Sequence, residues 1–162
     1  MLLTNYNLKT VLYYLKFVCT IVIIVFNHIK KMKALVFPGQ GSQSVGMGSE
    51  LYKKFNLVKK IFKEADDKLN FPISKIILDG PESELKLTKN TQPAILIISY
   101  SIFKIITEEF NVEIKKDLKY FAGHSLGEYS ALVASSSLSF SDALTLLYER
   151  GKFMQEAVPE GK

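Results

Sequence analysis

"YFAGHSLGEYSAL", residues 120–132, decides the reading of this chain. The apolar run leading into it, "LKYFA" (118–122), reads as a buried strand, and "SLGEYSALVAS" (125–135) reads as a helix. Between them lies Gly123-His124-Ser125-Leu126-Gly127, a G-x-S-x-G pattern in the strand–turn–helix setting that a nucleophile elbow requires. Glycines two residues before and after the serine let strand and helix pack closely around a tight turn. The helix N-terminus brings amide N–H groups and the positive dipole end toward an oxyanion forming at Ser125. A glycine-flanked serine that only caps a helix would show the same letters.

Working outward, "KALVF" (33–37) is a second short apolar run, closed by Pro38 and Gly39. It reads as a buried strand ending in a turn. "NLVKKIFKEADDKL" (56–69) places Leu57, Ile61, Ala65 and Leu69 on one helical face, with a solvated face of lysines and acids between. "GPESELKLTKN" (80–90) reads as a turn and a short helix. "TQPAILIISYSIFKIITEEF" (91–110) reads as a long buried helix, with Thr91 as N-cap and Pro93 in the first turn. "SFSDALTLLYERGKFMQEAV" (139–158) is a further helix, opened by Ser139 with Asp142 three residues on. Strands alternating with helices predict an α/β fold with a parallel sheet flanked by helices.

The loop "GQGSQSVGMG" (39–48) holds four glycines, Gly39, Gly41, Gly46 and Gly48, so its amides can approach whatever lies above it. A phosphate cradle or a plain turn is the bland reading. The loop lacks the Lys-Ser/Thr end of a P-loop and the G-x-G-x-x-G spacing of a dinucleotide site.

The chain has 162 residues, 48% of them hydrophobic, and a formal net charge of +5. Residues 1–31 contain Lys9, Lys16, Lys30 and Lys31 and no acid, so the remainder is close to neutral and gives no reason to expect nucleic acid. One cysteine, Cys19, excludes an internal disulfide and a cysteine metal site, and fits a reducing, cytoplasmic setting. Neither a metal nor a cofactor is expected.

"VLYYLKFVCTIVIIVF" (11–26) sets residues 1–31 apart as an apolar leader. Three readings compete: a signal anchor or single membrane span, a secretory leader without a small-residue cleavage site, or translated upstream sequence ahead of a true start at Met32. The third fits best, because "MKALVFPGQGSQ" begins as a domain would begin. A membrane association is not expected unless residues 1–31 are a genuine anchor. His28 lies in this leader and is given no chemical role.

"FPGQGSQ" (37–43), "TQPA" (91–94), "GHSLGEYSAL" (123–132) and "RGKFMQEAVPEG" (150–161) resemble, in order and spacing, the malonyl-CoA:acyl-carrier-protein transacylases and related acyltransferase domains. The resemblance covers residues 32–162. It implies an α/β-hydrolase-like large subdomain over 32–158, with 159–162 starting the family's ferredoxin-like small subdomain, most of which would lie beyond. It further implies a ping-pong transfer in fatty acid biosynthesis, with malonyl-CoA and acyl carrier protein as partners. Ser125 would form an O-malonyl ester, and the carrier's phosphopantetheine thiol would then take the malonyl group. The amides of Gln40 and Leu126 would form the oxyanion hole.

Arg150 is matched to the arginine that holds the malonyl carboxylate, for which a planar fork is well suited. It is also the single arginine among 21 basic residues. A surface arginine near a helix end is the bland alternative. His124 is the tempting base. Adjacent side chains in an elbow point apart, so it reads instead as a substrate-side, shaping residue. Gln92 and, more weakly, Gln43 are site-lining candidates. Glu128 would complement the dipole of the nucleophile helix.

The family's base is a histidine well downstream. The chain has two histidines, His28 and His124, and neither fits. The expectation is therefore an incomplete, inactive N-terminal part of an [acyl-carrier-protein] S-malonyltransferase. A serine hydrolase of the α/β-hydrolase kind is the alternative that the elbow alone permits. A non-catalytic remnant is a third.

Overall fold

The computed structural model describes residues 23–27, 32–109 and 118–158. Cys19, His28, most of the apolar leader and residues 159–162 lie outside them. Among the described residues three strands form one sheet in the order β1 (Ile23–Asn27), β2 (Met32–Phe37), β3 (Leu118–Gly123). β2 and β3 run parallel, with Leu35 opposite Phe121 and Phe37 opposite Gly123. β1 runs antiparallel to β2, so the sheet is mixed where a wholly parallel one was expected. The reason is local: only four residues separate β1 from β2, too few for a parallel crossover. Five residues of the segment set apart as a leader thus pair with the sheet.

β2 shows why it is a strand. Leu35 and Phe37 are buried while Ala34 and Val36 are half-buried, the period-two pattern of a pleated chain with one face on a core. Among the described residues seven α-helices accompany the sheet: α1 (Ser49–Lys54), α2 (Asn56–Leu69), α3 (Ile73–Asp79), α4 (Glu82–Lys86), α5 (Thr88–Lys104), α6 (Gly127–Ala134) and α7 (Phe140–Ala157). α1 and α3 were not anticipated. Both are short, and neither shows two full turns of apolar periodicity. α2 has the expected bounds, but its buried face is Val58, Ile61, Phe62 and Ala65, with Leu57 and Leu69 only half-buried at its edge.

α5 is the central element. Thirteen of its seventeen residues are buried, from Asn90 to Phe103, between α2, α4, α6 and α7. Each of Ile95, Leu96, Ile97, Ile98 and Ile102 contributes roughly 1.5–3 kcal/mol by leaving water. It begins at Thr88, one turn earlier than expected, and it gives way after Lys104 to a π-helical turn, Ile105–Glu109. Thr91 is therefore not the N-cap, and Pro93 sits inside the helix. The Thr91 hydroxyl instead bonds the carbonyls of Leu85 (2.5 Å) and Leu87 (3.1 Å), tying α5 to α4.

α7 opens as expected: Ser139 Oγ accepts from the Asp142 amide at 3.0 Å and donates to Asp142 Oδ2 at 2.7 Å. The Tyr100 ring stacks on Phe140 at 4.4 Å and 16°, joining α5 to the start of α7. Farther along, Gly151 permits a close approach. A Cβ there would lie 2.5 Å from Lys89 Cα and 2.6 Å from the Thr88 carbonyl oxygen. The Lys89 amide donates to Gln155 Oε1 at 2.8 Å across the same contact. Among the described residues, no helix is long and apolar enough to cross a membrane.

Candidate active site

The site is built where β2 and β3 end beneath the start of α6. The His124 amide extends the β2–β3 ladder by donating to the Phe37 carbonyl at 3.2 Å. The next residue, Ser125, has φ 55°, a left-handed conformation uncommon for any residue with a Cβ. This is the sharp turn read from the sequence, and the helix starts after it, at Gly127 rather than at Ser125. The flanking glycines have a steric cause. A Cβ on Gly123 would fall 1.9 Å from the Gly127 carbonyl carbon, and one on Gly127 would fall 2.5 Å from the Phe37 carbonyl oxygen. No side chain fits where both strand ends meet the helix.

Ser125 is half-buried. Arg150 Nη2 donates to Ser125 Oγ at 3.0 Å, from α7. Arg150 Nη1 donates to Gln92 Oε1 at 2.6 Å, from α5. Gln92 is fully buried, and its amide nitrogen lies 3.2 Å from Met154 Sδ, one turn beyond Arg150. The Tyr129 ring completes the surroundings, with its centroid 6.0 Å from Arg150 Cζ. Three separate helices thus converge on one guanidinium.

His124 is exposed, and among the described residues its ring makes no hydrogen bond to Ser125. It lies against the glycine-rich loop instead: a Cβ at Gly39 would be 2.6 Å from His124 Nδ1. In that loop Ser42 Oγ donates to the Gly39 carbonyl at 3.0 Å, and Gln43 Oε1 accepts from the Gly41 amide at 2.8 Å. Through that bond Gln43 shapes the loop. The Gln40 side chain reaches Thr88 Oγ1 at 3.4 Å. Among the described residues, neither the Gln40 nor the Leu126 amide has an acceptor. Glu128 is exposed in the first turn of α6, where its charge faces the positive helix end. Among the described residues, no group of three or more His, Cys, Asp or Glu is placed to hold a metal.

Residues 34–162 match the family model described as an acyl transferase domain. The chain belongs to that acyl transferase family. It is 49% identical over 129 residues to the malonyl CoA-acyl carrier protein transacylase of Bacillus subtilis strain 168, a match covering 80% of this chain and 39% of that relative. The corresponding transacylase of Haemophilus influenzae is 47% identical over 131 residues, covering 81% and 41%. The chain spans about two fifths of the length of these curated relatives.

Among solved structures, the malonyl CoA-acyl carrier protein transacylase of Coxiella burnetii matches with a TM-score of 0.74 and 41% identity, over 80% of this chain and 40% of that one. A malonyl-transacylase solved in complex with a type II polyketide acyl-carrier protein matches with a TM-score of 0.73 and 46% identity, over 79% and 40%. The α/β class is that of these acyltransferases.

Sequence reading missed Tyr129, Met154 and Gly151. Tyr129 and Met154 lie inside the stretches 123–132 and 150–161 that carry the resemblance, one helical turn from Ser125 and Arg150, but nothing in their residue type singled them out. Gly151 could have been noticed, since a glycine within an otherwise unbroken helical pattern weakens the helix unless something packs against it.

Proposed function

We propose that this chain provides the nucleophile and the carboxylate clamp of a malonyl-CoA:acyl-carrier-protein transacylase acting in cytoplasmic fatty acid synthesis. The observation that carries the reading is Arg150 Nη2 on Ser125 Oγ at 3.0 Å. A guanidinium beside a serine nucleophile is suited to an acyl group that ends in a carboxylate. A serine hydrolase has no use for such a cation, so the hydrolase alternative has no support in the site.

In the proposed cycle Ser125 Oγ loses its proton to a base and attacks the thioester carbon of malonyl-CoA. The tetrahedral oxyanion would be met by the Gln40 and Leu126 amides, each worth about 2.7–4 kcal/mol in the transition state. Collapse breaks the C–S bond, and the CoA sulfur leaves with the proton. The O-malonyl ester is then attacked by the phosphopantetheine thiol of acyl carrier protein, which regenerates Ser125. CoA acts as a substrate thioester, and the proposed chemistry needs no metal or other cofactor. Gln92 holds the clamp, while His124 lines the entrance by its contact with the loop. With neither histidine of the chain read as the base, the 162 residues alone are proposed to be an inactive part of the enzyme.

The test is a chimera in which residues 34–162 replace the matching part of the Bacillus subtilis relative. It should transfer malonyl groups from CoA to acyl carrier protein and show a malonyl ester on Ser125 by mass spectrometry. Ser125→Ala should abolish both. A folded chimera that turns over malonyl-CoA without modifying Ser125 would refute the proposal.

A further inference from the structure

The two contacts of the Arg150 guanidinium differ in kind. The Gln92 contact is built to stay. Gln92 is fully buried, its Oε1 accepts from Nη1 at 2.6 Å, and its amide nitrogen is committed to Met154 Sδ at 3.2 Å. Rotating the carboxamide would break two contacts at once. The Ser125 contact is built to be released. Its acceptor is a half-buried hydroxyl on a turn with φ 55°, and that oxygen must direct a lone pair at a carbonyl carbon if it is to attack.

A neutral hydroxyl oxygen is also a weaker acceptor for a guanidinium than an ionised carboxylate, whose hydrogen bonds are roughly twice as strong. If both reach the same nitrogen, the carboxylate displaces the hydroxyl. Resting on the reading of Arg150 as the receptor of the acyl carboxylate, we propose that Ser125 Oγ and that carboxylate compete for Arg150 Nη2. A carboxylated acyl group then frees the nucleophile as it binds. An uncharged acyl group leaves the Ser125 lone pair facing a cation and less available for attack. Selectivity acts through the readiness of the nucleophile as well as through affinity, and Gln92 keeps the guanidinium in place during the exchange. The Ser125 contact in turn weakens carboxylate binding, because it must be broken first.

The sequence makes the test direct, since Arg150 is the single arginine of the chain. In the full 162-residue protein labelled with ¹⁵N-arginine, one Nε signal and one set of Nη signals report on this side chain without assignment. Malonate should move the Nη signals, and a neutral acetyl thioester at equal concentration should not. Ser125→Ala should bind malonate about three- to tenfold more tightly than the parent protein, the worth of one lost competing hydrogen bond. Ser125→Cys, whose sulfur is a weak acceptor, should also bind more tightly. An amide fingerprint matching the parent qualifies each variant, and either suffices for the comparison. Equal malonate affinity in parent and variants overturns the competition but leaves the carboxylate reading intact. If malonate shifts no Arg150 signal in any of them, the carboxylate reading itself fails.

Discussion

Arg150 Nη2 lies 3.0 Å from Ser125 Oγ, although 25 residues separate them in the chain and His124 is the adjacent residue. The bond depends on the fork geometry of a guanidinium, which also engages Gln92. Arg150→Lys keeps the charge but cannot span both partners. In the chimera it should lower kcat/KM for malonyl-CoA by about thirtyfold or more, the equivalent of about 2 kcal/mol. Steady-state transfer to acyl carrier protein measures it, and an unchanged value would remove the clamp from the site.

Gln92 should be separable from that charge. Gln92→Leu leaves the Nη1 donor without its buried acceptor and should destabilise the protein by about 1–3 kcal/mol. Gln92→Glu keeps an acceptor in place but neutralises the guanidinium. It should hold stability near that of the parent while weakening malonate binding. Urea midpoints and malonate titrations on the two variants give the comparison.

The glycines of the elbow should be irreplaceable for steric rather than conformational reasons. Gly127→Ala drives a methyl to within 2.5 Å of the Phe37 carbonyl oxygen and should cost about 3 kcal/mol or more. Gly41→Ala is the contrast: φ is +105° there, but nothing lies within 4 Å of an added Cβ. It should cost only the backbone strain, roughly 1–2 kcal/mol. Thermal unfolding followed by circular dichroism should rank the two in that order.

Tyr100 should make the fold sensitive to alkali. Burial, above all, raises its phenol above the ordinary tyrosine value, while Lys104 works in the opposite direction. Because the folded value is raised, the contribution is fully present below the unfolded value near 10 and is lost as pH rises through the folded value. Tyr100→Phe keeps the stack on Phe140 and removes the titration. Stability measured at pH about 9 and about 11 should fall more steeply in the parent than in this variant.

On the proposed reading, in which neither His28 nor His124 is the base, the 162-residue polypeptide assayed alone should show little malonyl transfer, because removing the base from a serine enzyme can cost about 10⁶ in kcat. Turnover at the chimera's rate would show that a base had been overlooked.

By itself the sequence determined what depends on near neighbours. The apolar run "KALVF", the bounds of the helix over residues 56–69, the Ser139 cap and the elbow around Ser125 are all local patterns, and each lies where it was expected, although the buried face of that helix is turned toward Val58 and Phe62. Residue chemistry likewise singled out Ser125 and the lone Arg150. The long helix was legible as buried, but not in its start: Thr91 serves the carbonyls of α4, a tertiary use of a residue type that also caps helices. β1 was not legible as a strand, because its letters continue an apolar run that reads as a leader, and pairing with the β2 edge is what makes it one.

Tertiary structure alone decided what Ser125 touches. The left-handed turn at Ser125 carries its side chain away from His124, and the close approach of α7 to α5 at Gly151 brings Arg150 and Gln92 together across 58 residues. Local pattern fixes which groups are present in a turn. The packing of helices, controlled here by whether a Cβ fits between two backbones, fixes which of them touch.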